Sequence, residues 1–184
     1  MNWLLYVIFN FILYSFFGWI IEHSYSLVTT GNFKDAGFLS IPFKPMYGLA
    51  MCILIYCRYK LNISNGFFIL LCILIPTAVE YISGFVLKRY FNEIYWNYKH
   101  IPFNFNGLIC IRFSIYWSIL SYIVVSFVQP IIMRVYNRNV VLLEVISVIL
   151  LLYILFSFVH KLNNTDFEMV RRVNNSKIHY KYRQ

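Results

Sequence analysis

The sequence predicts an all-α, polytopic membrane helix bundle of about five transmembrane helices with a re-entrant loop. Three observations carry that prediction. Hydrophobic residues fill 60% of the 184 positions and charged residues only 12%, about half the share of a soluble domain. The shortage of charge recurs as separate runs of roughly 20 residues, the length that crosses a hydrocarbon core of about 30 Å. Nothing in these runs alternates like barrel strands, which leaves internally bonded helices as the backbone form that lipid allows.

The first run covers residues 3–21 and continues toward Tyr25. It lacks a basic start and a small-residue cleavage site, so it reads as a retained helix rather than a signal peptide. The second begins after Pro45, at 46 to about 61, and is short, ending in Arg58 and Lys60. The third, 66–87, contains Pro76, which is expected to kink it. The fourth, 113–133, contains Pro130, which is expected to bend it near its end. The fifth is 140–159. The connections 22–45 and 88–112 are long, whereas 58–65 and 134–139 are short. The expected organisation is a single transmembrane domain over 1–160 and a basic cytoplasmic tail over 161–184.

With five spans, both long connections and the tail share one side. That side carries 12 of the 16 lysines and arginines. The positive-inside rule then predicts a multi-pass protein of the bacterial cytoplasmic membrane, with the N-terminus outside and the C-terminus cytoplasmic. The net charge of +9 reads as topology and contact with anionic lipid, not as a nucleic-acid surface. Aromatic residues near most span ends fit interfacial belts.

Standard enzyme motifs (GxSxG, a P-loop, HExxH, CxxC) are absent from the sequence, and no cofactor is expected. Cys52, Cys57, Cys72 and Cys110 have no metal-ligand spacing, and no metal site is expected. His23, His100, His160 and His179 are scattered near the membrane surfaces.

Glu80 is the most informative residue. It sits inside the third apolar run, where a charge costs about 2.5–3.5 kcal/mol on translocon scales. Such a residue turns toward the bundle interior and finds a partner. Glu22 closes the first run. Tyr14, Gly18, Glu22 and Tyr25 share one helix face, as do Thr77, Glu80, Tyr81 and Gly84, by their spacing of three and four. Ser114, Trp117, Ser118 and Ser121 form a polar and small stripe, which also suits close helix packing. The connection 93–112 is aromatic, rich in asparagine and broken by Pro102 and Gly107; it is the segment expected to re-enter the membrane. Arg112 is the candidate counter-ion for either acid. The substrate- or ion-binding candidates are Glu22, Glu80, Tyr81, Trp96, Asn97, Tyr98, Asn104, Cys110, Arg112, Ser114 and Trp117. Glu144, one turn into the fifth run, reads as a structural residue at the outer interface.

Several short pieces occur in a recognisable order: Phe17-Gly18-Trp19-Ile20-Ile21-Glu22, then Gly37-Phe38-Leu39 with Pro42, Pro45, Tyr47 and Gly48. Thr77, Glu80-Tyr81 and Gly84 follow. Trp96-Asn97-Tyr98, Pro102-Phe103-Asn104, Gly107-Leu108-Ile109-Cys110, Ser114 and Trp117 complete the set. Over residues 17–117 the chain resembles the CmpB-like family of small bacterial integral membrane proteins, named ABC-transporter type IV permeases. Asn97 and Ser118 depart from the family pattern, which has an aspartate and a glycine there. The first change removes a charge from the implied site.

The resemblance implies a transporter subunit of unknown substrate, working in the lipid bilayer with a separate ATPase subunit or as a homo-oligomer. Two alternatives stand beside it. One is an intramembrane enzyme acting on a lipid or lipid-linked substrate, with Glu80 as acid or base and Tyr98, Cys110 and Ser114 as auxiliaries. The other is a non-catalytic accessory protein whose buried acids fix helix packing.

Overall fold

The computed structural model describes residues 2–32 and 37–181, with side chains through Asn164. The protein is an all-α membrane bundle. Helix α1 is Trp3–Thr30; Asn2 caps its start by accepting from the Leu4 N–H, and Gly31, at φ +69°, ends it. Helix α2 is Pro45–Ile55 and ends in a π-helical turn, Tyr56–Lys60. Helix α3 is Asn65–Val86 and ends in a second such turn, Leu87–Phe91. Helix α4, Ile111–Ile123, passes through a third, Val124–Val128, into α5, Gln129–Arg138. Helix α6 is Val140–Lys181.

Among the described residues, four helical stretches are long and apolar enough to cross a membrane: Trp3–Thr30, Asn65–Tyr90, Ile111–Arg138 and Val140–Asn164. The second predicted span is not among them, because α2 and its π turn together run only from Pro45 to Lys60, 11 and 5 residues. The direction of the chain is nevertheless kept. Gly48 packs on Ser15 and Phe11 of α1, Cys52 donates to the Val7 carbonyl, and the Lys60 ammonium lies over the Trp3 ring. Thus α2 runs antiparallel to α1 and ends level with its first turn. Close approach depends on small residues. A Cβ on Gly18 would sit 2.4 Å from the Tyr47 ring, and one on Gly48 would sit 2.3 Å from Ser15 Oγ.

α2 starts at the depth of Ser15 because residues 37–44 fold back into the bundle. The Lys44 N–H donates to the Ser15 carbonyl at 2.9 Å. Leu39 and Phe43 are buried in a cluster with Ile12 of α1 and Ile154 of α6. Ser15 precedes the end of α1 by about 22 Å at helical rise. The second fold-back is 92–110, the connection expected to re-enter. It returns along α3 to Glu80, about 16 Å before Phe91, and α4 starts there. The first fold-back was not anticipated. Its apolar residues are dispersed among Gly, Pro and Lys, so it reads as a loop.

The second fold-back holds a two-residue antiparallel pair, Asn104–Phe105 with Ile109–Cys110. Its turn has positive φ at Asn106 and Gly107 and a Leu108 N–H to Phe105 carbonyl bond of 3.0 Å, the geometry of a type I′ hairpin turn.

Pro76 lies within α3, which continues through it. Pro130 acts as a bend signal in an unforeseen way. In the π register each N–H reaches five residues back, and the Gln129 N–H bonds the Val124 carbonyl. Pro130 has no N–H, so the Val125 carbonyl loses its next partner. The Tyr59 hydroxyl of α2's terminal turn supplies it, at 2.7 Å. The predicted basic tail begins in α6, which continues as helix to Lys181; its side chains beyond Asn164 lie outside the described residues, as does Lys34.

Candidate functional site

Two helices that run in the same direction, α1 and α3, and two fold-backs bring the acids together. Glu22 comes from the second half of α1, and Glu80 from the matching half of α3. Glu22 Oε2 forms an ion pair with Lys44 Nζ at 2.8 Å, and Glu22 Oε1 accepts from the Tyr47 hydroxyl at 2.9 Å. Lys44 ends the first fold-back and Tyr47 begins α2, so this segment folds in to meet the acid. Pro45 at the first turn of α2 fixes that entry without losing a helical donor.

Glu80 is 4% exposed. Its Oε1 accepts from the Tyr98 hydroxyl at 2.9 Å, and the Trp117 indole lies against the same carboxylate. Its Oε2 is buried and has no hydrogen-bond partner among the described residues. Glu22 and Glu80 are within electrostatic reach of one another, and Tyr47 is within reach of both. Burial, followed by the nearby Glu80 carboxylate, pushes the Tyr98 phenol pKa above its usual range, so Tyr98 stays a donor.

A cavity of about 630 Å³ opens over these groups. It is walled by Glu22, Lys44 and Tyr47, by Glu80, and by Trp96, Tyr98, Phe113 and Trp117. A second cavity, about 290 Å³, lies on the other side of Tyr47 and Glu80 and reaches Tyr14, Gly18 and Ser121. The face Tyr14, Gly18, Glu22 and Tyr25 thus serves both cavities, Tyr14 and Gly18 lining the smaller and Glu22 and Tyr25 the larger. Edge-on contact between Tyr47 and Trp117, 5.2 Å between ring centroids, separates the two.

The remaining candidates have other placements. Trp96 donates from Nε1 to the Leu108 carbonyl at 2.8 Å, and both pack on Gly84. Asn97 Oδ1 accepts from the Lys99 N–H, and Asn104 bonds the Ile101 carbonyl and the Gly107 N–H. These asparagines shape the fold-back rather than face the acids. Gly107 is required there: its φ is +72°, and a Cβ would meet Asn97 Oδ1 at 2.8 Å. The Tyr81 hydroxyl accepts from Asn106 Nδ2 at 3.3 Å. Cys110 is buried. Ser114 accepts from Ser118 through its carbonyl and lines a separate groove between α3 and α4 together with Thr77 and Cys110.

Arg112 is not the counter-ion. Its Nε donates to the Tyr116 hydroxyl at 3.1 Å and its guanidinium lies over that ring. Lys44 takes the role, because the 37–44 fold-back delivers it from within the bundle while Arg112 starts a helix on the outside. Lys44 and Tyr47 were absent from the predicted site. A Lys-Pro-x-Tyr-Gly sequence at a helix start was the available signal. Glu144 accepts from the Tyr136 hydroxyl at 2.6 Å, away from the cavity. Among the described residues, no group of three or more His, Cys, Asp or Glu is placed to hold a metal ion.

A polytopic bundle of helices long and apolar enough to cross a bilayer defines an integral membrane protein. The chain belongs to the family described as "Putative ABC-transporter type IV", whose model matches residues 9–162. That range includes both acids, both fold-backs and every candidate residue. No solved structure matches the chain.

Proposed function

We propose that the chain is the substrate-holding membrane subunit of an ABC-type transporter in the bacterial cytoplasmic membrane. Glu80 is the group that contacts substrate. Glu22, held by Lys44 and Tyr47, shapes the same wall, and Tyr98 and Trp117 orient the Glu80 carboxylate. The site and the C-terminal tail face the cytoplasm and the N-terminus faces outward, a reading supported by the lysine and arginine distribution. Nucleotide hydrolysis is supplied by a separate ATPase subunit, since the sequence holds no P-loop.

The observation that carries this reading is the buried, unpartnered Oε2 of Glu80 at the wall of a cavity of about 630 Å³. Buried polar atoms are normally satisfied. An exception beside an open volume fits a group that awaits a ligand.

The test is purification of the tagged chain from its native membranes in mild detergent, followed by an ATP hydrolysis assay. Co-purifying, vanadate-sensitive ATPase activity that falls in a Glu80→Gln variant of normal abundance is expected. A chain that purifies without ATPase activity, and whose Glu80→Gln variant keeps full cellular function, contradicts the proposal and favours an accessory role.

A further inference from the structure

The walls of the Glu80 cavity carry information about what it holds; this rests on the transport reading and gives it a substrate class. We propose that the cavity binds an amphiphile bearing one positive charge on an amine or quaternary ammonium group, with the charge at Glu80 and the apolar body along the walls.

The charge balance comes first. Among the described residues, three charged ones line the cavity: Glu22, Lys44 and Glu80. Glu22 and Lys44 form a 2.8 Å ion pair and offset each other. Glu80 is left as the carboxyl without a cationic partner among the described residues, and because an unpaired buried ion is costly, a bound cation is what would hold it in the charged form. The hydrogen bonding agrees. Tyr98 and Trp117 approach the carboxylate as donors, yet Oε2 is buried and unfilled. A cation resting against Oε2 completes the site. An anion would bring its charge against Glu80, and the ammonium that could receive it is already engaged by Glu22.

The ring arrangement favours the same ligand. The Tyr98 and Phe113 rings stack at 4.8 Å with 16° between planes, and Tyr25 packs edge-on against Phe113 at 6.1 Å. Trp117 and Tyr47 stand on the opposite flank. Aromatic faces around a desolvated carboxylate suit soft organic cations, whose charge is attracted to the ring faces and whose hydration is weak. The rest of the wall, including Ile21, Val86 and Phe158, is apolar and suits a hydrocarbon body.

Two ions of one shape and opposite charge test the assignment: tetraphenylphosphonium and tetraphenylborate. Binding to the full chain in dodecyl maltoside micelles is measured by equilibrium dialysis, with protein-free micelles as the blank. Saturable phosphonium binding is expected, about tenfold tighter than borate binding. Glu80→Gln should remove most of that preference, Glu80→Asp should keep part of it, and Glu144→Gln should leave it intact. Equal or tighter borate binding, no binding of either ion, or an unchanged preference in Glu80→Gln each overturns the proposal. The comparison of the two ions on the unmodified chain does not depend on any variant folding. Loss of the cation preference removes the substrate class and leaves the transport reading standing. Failure to co-purify an ATPase does the reverse.

Discussion

Two polar clusters are buried in this bundle, and they differ in one respect. Near the start of α1, Gln129 of α5 donates to the Tyr6 hydroxyl at 2.8 Å and to Asn10 Oδ1 at 2.7 Å, and its Oε1 accepts from Tyr14. Asn10 in turn donates to the Tyr6 carbonyl. Gln129 is completely buried, and the side-chain groups of the cluster find partners within it. In the other half, Glu80 keeps a buried oxygen without a partner among the described residues, and the residue is part of a cavity wall. The first cluster is closed on itself and ties α1 to α5. The second keeps an acceptor that nothing in the described residues fills, and the proposed substrate would fill it. Polarity within a membrane bundle therefore does not mark function by itself.

Several substitutions break or sharpen this contrast, and they are ordered here by expected loss of stability. Gln129→Leu strips partners from Tyr6, Asn10 and Tyr14 together and is expected to cost about 3 kcal/mol, seen as a lower unfolding temperature in detergent. Function should fall only with abundance. Lys44→Met leaves Glu22 with a single partner, and a loss of about 2 kcal/mol is expected. The double variant Lys44→Met, Glu22→Gln should recover part of that loss, and a double-mutant cycle measures the coupling. Tyr59→Phe leaves the Val125 carbonyl bare beside Pro130 and should cost about 1 kcal/mol, with faster local hydrogen exchange around the π turn. Glu80→Gln is the mildest, with stability unchanged to within about 1 kcal/mol, because no satisfied interaction is lost apart from the charged form of one Tyr98 bond. It is expected to be the most harmful to function. A Glu80→Gln protein that unfolds as readily as Gln129→Leu would place the two clusters in one structural class.

The bundle was legible because lipid imposes a simple rule. Charge-free runs of sufficient length must be helices, and α1, α3, α4–α5 and α6 begin close to the boundaries that charge and proline indicate, although α1 runs on to Thr30 and α6 to Lys181. α2 was legible as a helix but not as a half-length one, since its missing depth is made up by residues 37–44, whose apolar side chains have no period. Glu80 stood out because an isolated charge in an apolar run is expensive. Glu22 followed from helix-face spacing. Lys44 was hidden because a lysine in a loop reads as a headgroup contact, and only the fold-back shows it against Glu22. Gln129 was passed over because it adjoins Pro130 and looks like a helix end. The π turn that precedes it keeps the helix going and turns its amide toward α1.

Reaction with the apolar reagent dicyclohexylcarbodiimide, read by mass spectrometry of the purified chain, tests most directly whether Glu80 is the open group. The account predicts that Glu80 is modified ahead of Glu22, which is ion-paired, and ahead of Glu144, which is bonded to Tyr136. Tetraphenylphosphonium should slow that modification. Labelling of Glu22 or Glu144 while Glu80 stays intact would contradict the claim that Glu80 is the unpartnered carboxyl of the site.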